Sequence, residues 1–343
     1  MNRPDPPSTS DMRGIPASAV IRSTLTNIVV AVLFAVLMMS VPWESLTARG
    51  YFVDLRNYTE GFLYATSALE YRRFSSILDY ATNEWLWHFS VSYLVNDLGV
   101  PIDVVFGAIT FICLSVFSYF LSSRNGILSV PLLVNPLFVH LAFEQLRLAL
   151  AFSLLLLAYL GGKKAVLALS VVVLGTIHTG VYLLAGIGLS IWFIKRFMLD
   201  RGKHLALVFA SIFFVGMMVA VVTGTLGEIV LGYLGDRRAT RYAVEGGGAG
   251  LKFTIFWLGV FVLAAFQGRA FFDRLENSYA VAILAFAVSS FVFGGYTNRM
   301  LAVSLPFLLS AIMSFRPPMN VLTIILYVVF VLVHWGFWFK WWA

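Results

Sequence analysis

This sequence predicts an all-α integral membrane protein with many crossings, and three observations predict it. Of its 343 residues, 60% are hydrophobic and 12% charged, with a mean hydropathy of +0.86. Soluble domains carry roughly 25% charged residues. Apolar runs long enough to cross a bilayer recur from Thr24 almost to the last residues. The runs are continuous, without the period-two alternation of a membrane β-barrel.

The first stretch, MNRPDPPSTSDMRGIPAS, is polar and rich in Pro and Ser, and residues 1–23 read as a disordered cytoplasmic segment. The apolar run after it has the length of a span and no small-residue cleavage site, so it reads as a retained signal-anchor. Spans are expected near 24–42, 103–121, 127–142, 146–161, 164–178, 180–195, 204–223, 252–267, 277–293, 302–315 and 320–338. That is about 11 crossings in a single transmembrane domain over 24–343, with polar loops at about 43–83 and 224–251. One further segment, Glu84 to Asp97, is amphipathic and too short to cross, and reads as interfacial or re-entrant.

Charge orients the chain. The net charge of +7 comes from basic residues scattered in loops between spans, which is a topology signal and not a nucleic-acid footprint. Arg3, Arg13 and Arg22 place the start inside. Lys163–Lys164, Lys195, Arg196, Arg201, Lys203, Arg269, Arg274 and Arg316 mark further inner loops. These markers agree only if one apolar segment before Lys163 fails to cross. Segment 84–97 is the first choice, and the run 127–142, broken by Pro131 and Pro136, is the second.

With that topology, polar groups gather at the outer face. Asp54, Arg56, Tyr58, Glu60, Arg72 and Arg73 lie in the first outer loop, followed by Glu84 and His88. His140, Glu144 and Arg147 are spaced to share a helical face. His178 marks an outer turn, Arg237, Arg238, Arg241 and Tyr242 lie in the second outer loop, and Tyr296, Asn298 and Arg299 lie in GGYTNRM. Arginine kept outside runs against the positive-inside bias and points to an anionic partner, for which guanidinium is the best match to phosphate. Each residue also has a plain reading. Arg147 with Glu144, and Arg299, fit snorkelling anchors, and the loop arginines fit a solvated face. GGGAG, from Gly246 to Gly250, fits a flexible loop, and HWGFWFKWWA fits an aromatic interface anchor.

Absences narrow the chemistry. The only cysteine, Cys113, lies in an apolar run, so neither a disulfide nor a cysteine metal site is expected. There is no phosphate-binding G-x-x-x-x-G-K-[ST] loop, no Asp-x-Asp pair and no His/Cys cluster. A group transfer would draw on a donor already carried by a lipid, with no cofactor and no metal.

Several stretches carry a resemblance: FVDLRNY after the first span, NEWLWHFSVSYLVNDLG, RLALAFSLLLLAYLGGKK, GTIHTGVYLL, RRATRYAVEGG and YTNRM. In this order they resemble the EpsG-like group of polysaccharide polymerases, related in kind to the Wzy O-antigen polymerases. Members typically show Asp-x-x-x-Tyr in the first outer loop, an Arg followed by Ala opening a span, a His in a later span and a late Arg. Asp54 with Tyr58, Arg147 with Ala149 and Ala151, His178 and Arg299 stand at those positions. Glu84-Trp85-Leu86 departs from the Glu-Pro-Gly frequent in the family.

The resemblance implies a GT-C-like polymerase of the bacterial inner membrane, joining undecaprenyl-diphosphate-linked repeat units on the periplasmic side. Arg147 and Arg299, helped by Arg237, Arg238 and Arg241, would hold the diphosphate. His178, Asp54 and Glu84 are the candidates for the base that takes the acceptor hydroxyl's proton. Tyr58, Tyr242, Tyr296 and His140, with Tyr51, Trp85 and Trp87, would contact sugars or support the site, and Glu144 would hold Arg147 in place. The implied partners are the lipid-linked oligosaccharide, membrane lipids, and a chain-length regulator or flippase. The rivals are another polyprenyl-phosphate-dependent glycosyltransferase or ligase, and a transporter of lipid-linked oligosaccharides.

Overall fold

The computed structural model describes residues 17–47, 50, 52–64, 80, 83–227, 229 and 251–339, and among them no strand occurs. Arg72, Arg73, Arg237, Arg238, Arg241, Tyr242, Tyr51 and the stretch 1–16 lie outside the described residues. Helix α1 runs Ala17–Met39, so it begins inside the stretch expected to be disordered. Ala17, Ala19, Val20 and Ile21 extend the apolar run backwards past Arg22.

After a single helical turn at Trp43–Leu46 come α2 (Val53–Tyr64) and α3 (Trp85–Ser92), the latter continuing through a wider π-helical turn to Asp97. α4 (Ile102–Asn125) packs on α1 and ends at Gly126, whose φ of 84° lies in the left-handed region where a Cβ is disfavoured. A 3-10 turn over Ile127–Leu133, containing Pro131, then leads to α5 (Pro136–Phe143). The proline-broken stretch is held by side chains. Asn135 caps α5 by accepting from Leu137 N at 2.8 Å, and its amide donates to Tyr327 OH at 2.9 Å. Tyr327 OH donates to Leu132 O at 2.8 Å. Irregular backbone survives in an apolar setting only when its polar groups are met in this way.

The remaining helices are α6 (Leu146–Leu160), α7 (Lys164–Gly175), α8 (Gly180–Ile194), α9 (Leu205–Val221), α10 (Leu251–Ala265), α11 (Leu275–Phe293), α12 (Thr297–Met313) and α13 (Met319–Trp338). α11 is buried along almost all of its length between α8, α9, α10 and α12, and forms the centre of the molecule. Among the described residues, five helical stretches are long and apolar enough to cross a membrane: Ile102–Asn125, Gly180–Leu199, Leu205–Leu226, Leu275–Phe293 and Met319–Trp338. α5 and α6 form a sixth only as a pair, because the chain bends by 98° between them. The expected spans 127–142 and 146–161 are thus parted by a sharp break at Glu144–Gln145, and the first of them is α-helical only from Pro136. The apolar parts of α1, α7, α10 and α12 are shorter than a standard crossing.

The helices have two chemically different ends. α6, α8 and α12 each start among the polar residues described below. Their far ends are tied together by basic residues. There, Tyr159 OH donates to Glu276 Oε1 at 2.8 Å, Arg124 pairs with the same carboxylate at 3.2 Å, and Arg274 donates to Ser314 Oγ at 3.4 Å. The 15 residues of α6 separate the two ends by about 22 Å.

Candidate functional site

The break between α5 and α6 builds the site. Glu144 and Gln145 leave the helical ladder there, so a helix terminus is opened among packed neighbours. His140 and Glu144 remain one turn apart, and His140 Nδ1 meets Glu144 Oε2 in a short contact. His140 Nε2 accepts from the Trp338 indole N–H at 2.6 Å. An indole N–H can only donate, so this network puts the imidazole proton on Nδ1, pointing at Glu144. The other Glu144 oxygen accepts the backbone N–H of Asp54 at 3.4 Å. Glu144 thus serves as a cap from outside α2, meeting one of the unpaired N–H groups of that helix's first turn.

α2, docked in this way, presents Asp54 and Tyr58 on one face, four residues apart. Asp54 Oδ2 accepts from Arg299 Nη2 at 3.2 Å. Tyr58 OH accepts from Arg147 Nε at 2.9 Å, and the Arg147 guanidinium stands 5.0 Å from the Tyr58 ring centre. Burial pushes the Tyr58 phenol above its ordinary value, against the pull of Arg147, so it stays a neutral hydroxyl. Arg299 lies in the first turn of α12 with its guanidinium 5.9 Å from the Tyr296 ring.

Arg147 Nη1 pairs with Glu84 Oε2, and both side chains are mostly enclosed, 22% and 13% exposed. Glu84 precedes α3 with φ 57° and ψ 40°, the sole non-glycine residue with positive φ among those described. A side chain in that region costs about 1 kcal/mol or more and persists only where its surroundings impose it. Here Leu86 N donates to Thr176 O at 3.1 Å, fixing the start of α3 to the α7–α8 turn.

That turn carries His178, whose Nε2 lies 3.9 Å from Glu84 Oε1. Its Nδ1 accepts the Gly180 N–H at 2.9 Å, and a Cβ on residue 180 would fall 2.9 Å from the same nitrogen. Burial, with the nearby charges of Arg147 and Arg299, pushes the His178 pKa down to about 3. A neutral imidazole with Nδ1 accepting must carry its proton on Nε2, the atom that faces the site. His178 therefore presents a donor. The sequence reading grouped it with Asp54 and Glu84 as a base, and the local geometry gives it the opposite polarity. Asp54 and Glu84 accept hydrogen bonds from Arg299 and Arg147.

Glu144 needs a correction as well. The sequence reading made it the holder of Arg147 on a continuous helix. The 98° bend separates the two, so Arg147 is held by Glu84 and Tyr58 while Glu144 holds His140 and α2. Trp338 was read only as part of an interface anchor. No local signal could link it to His140, 198 residues away. Beside the cluster a cavity of about 410 Å³ is lined by Trp43, Glu44, Phe52, Leu55 and Phe143, among others. Phe52 and Phe143 are sequence neighbours of the site residues Asp54 and Glu144.

In this cluster three carboxylates, Asp54, Glu84 and Glu144, meet two guanidiniums, Arg147 and Arg299. An incoming anion must compete with carboxylates for the arginines already in place. Among the described residues no three of His, Cys, Asp and Glu come together in a metal-holding group. The fold and site define an all-helical, membrane-embedded protein with a preassembled carboxylate–guanidinium cluster at one end. No family model, no curated protein and no solved structure matches the chain.

Proposed function

We propose that the protein is a membrane glycosyltransferase that joins polyprenyl-diphosphate-linked glycan units, in the manner of a polysaccharide polymerase. It would be a GT-C-like protein of about 11 crossings in the bacterial inner membrane, with the site facing the periplasm. The observation that carries the reading is the pair of carboxylate–guanidinium bridges, Glu84–Arg147 and Asp54–Arg299, set beside an aromatic-lined cavity.

These bridges suit a transfer with a diphosphate leaving group. The donor's diphosphate takes guanidinium N–H groups from Arg147 and Arg299, which loosens their hold on Glu84 and Asp54. A carboxylate freed beside an anion gains basicity. It then takes the acceptor hydroxyl's proton as that oxygen bonds to the anomeric carbon. The anomeric C–O bond to the diphosphate breaks, and the leaving charge rests on the two arginines and the His178 N–H. The apolar wall of the neighbouring cavity, at Val41, Leu55 and Phe143, would take the first isoprenoid units.

A second reading, a transporter of lipid-linked oligosaccharides, is favoured by the broken α5–α6 pair, since interrupted helices commonly form transport sites. One experiment separates them: purified protein mixed with its lipid-diphosphate repeat unit, scored for a ladder of longer products. Ladder formation that survives Arg147→Ala with Arg299→Ala defeats the site assignment. Movement of the lipid across vesicles without a ladder favours the transporter.

A further inference from the structure

At the end of the molecule opposite this site, α8 continues through a π-helical turn, Lys195–Leu199, toward α9. The 195–203 and 268–274 connections meet there and carry Lys195, Arg196, Arg201, Lys203, Arg269 and Arg274 against Asp200 and Asp273, six positive charges to two negative. The partners of these cations are mostly neutral. Lys195 Nζ donates to the backbone carbonyl of Asp273, and Arg269 Nη2 to that of Leu199. Arg274 donates to Ser314 Oγ at 3.4 Å, and the Arg201 guanidinium stands 5.1 Å from the Phe197 ring centre. Arg196 is the exception, in a loose 3.8 Å pair with Asp200. Carbonyls, a hydroxyl and a ring position these groups without cancelling their charge.

Two further features distinguish this end from a loop that is merely basic for topology. A cavity of about 220 Å³ lies between the end of α8 and the start of α11, lined by Trp192, Lys195, Arg196, Asp200 and Leu275. Apolar surface flanks it on α8: Trp192, which lines it and is 43% exposed, meets the Phe193 ring at 5.0 Å. Leu189, Phe193 and Phe197 are 57%, 46% and 45% exposed, at four-residue intervals that continue to Arg201. The Phe193 and Phe197 rings stack at 5.7 Å. A topology signal needs charge in the loop; it does not need a hollow between helix ends with an aromatic side chain in its wall.

We propose that this end binds the headgroup of an anionic phospholipid. Its phosphodiester would sit in the cavity against Lys195 and Arg196, with an acyl chain lying along Leu189, Phe193 and Phe197. Basic pockets between membrane helices suit such lipids, because phosphate gains charge-assisted hydrogen bonds while the chains remain in hydrocarbon. The site is independent of the glycan chemistry at the other end.

The test uses the purified full chain in detergent, with lipid binding read by native mass spectrometry. The probes are dioleoyl phosphatidylglycerol, dioleoyl phosphatidylcholine with the same chains, and inorganic phosphate. Phosphatidylglycerol should bind about tenfold tighter than phosphatidylcholine, and Lys195→Gln with Arg196→Gln should remove most of that preference. Glutamine at 195 can still donate to Asp273 O, which preserves the local fold, and an unchanged Tm checks this. Lys163→Gln with Lys164→Gln removes the same charge from the same end and should leave the preference intact. Equal loss in both double variants means diffuse surface charge and overturns the site. So does equal affinity for the two lipids. Displacement of phosphatidylglycerol by inorganic phosphate at low concentration would make this a free-phosphate site and overturn the lipid assignment.

Discussion

Replacing Glu84 tests the centre of the site, because its side chain and its backbone pull stability in opposite directions. The carboxylate bridges Arg147 in a mostly enclosed setting, with side chains 13% and 22% exposed. Breaking a fully buried pair costs about 3–5 kcal/mol, and an exposed one at most about 1 kcal/mol. Glu84→Gln should therefore cost about 2 kcal/mol. Glu84→Gly loses the same bridge but relieves the φ of 57°, which returns about 1 kcal/mol, so it should be the milder change. In a cycle of Glu84→Gln and Arg147→Gln, the double variant should cost about 2 kcal/mol less than the sum of the singles. Reversible unfolding of the purified protein in mixed micelles measures all four. Additive singles would mean that the bridge contributes no energy. A Glu84→Gly variant less stable than Glu84→Gln would show that the backbone there is not strained.

Three further outcomes follow from the geometry. Glu144→Ala should cost about 1 kcal/mol as a lost cap and raise amide hydrogen exchange over residues 53–60, with Arg147 still held by Glu84; unchanged exchange in α2 would remove its docking role. Gly180→Ala should displace the His178 ring and lower ladder formation at least tenfold, on the scale of a lost acid–base group, while the Tm moves little; full activity would mean that the ring position is irrelevant. His178 has its pKa pushed down to about 3, so the unfolded chain binds a proton near pH 6.5 that the folded chain refuses. Stability should thus fall as pH drops from about 6.5 toward 3, and His178→Asn should flatten that slope in unfolding measured across pH.

Composition and run length were enough to establish an all-helical, membrane-embedded chain, because transferring apolar segments into lipid is a property of each segment alone. Local spacing was enough to pair His140 with Glu144, since residues four apart on a helix are neighbours whatever surrounds them, whereas Asp54 and Tyr58 stood together only in a motif of the resemblance. The same logic failed one step later, at Glu144 and Arg147. Three-residue spacing puts side chains together only while the backbone ladder continues, and the bend at Glu144–Gln145 interrupts it. Only the packed fold could pair Arg147 with Glu84, Arg299 with Asp54 and His140 with Trp338, across 63, 245 and 198 residues. The direction of the His178 proton was likewise hidden, because it depends on one backbone N–H turned toward one ring nitrogen. Segment chemistry is written locally, whereas the partner of a charge depends on which helix ends the packing brings together.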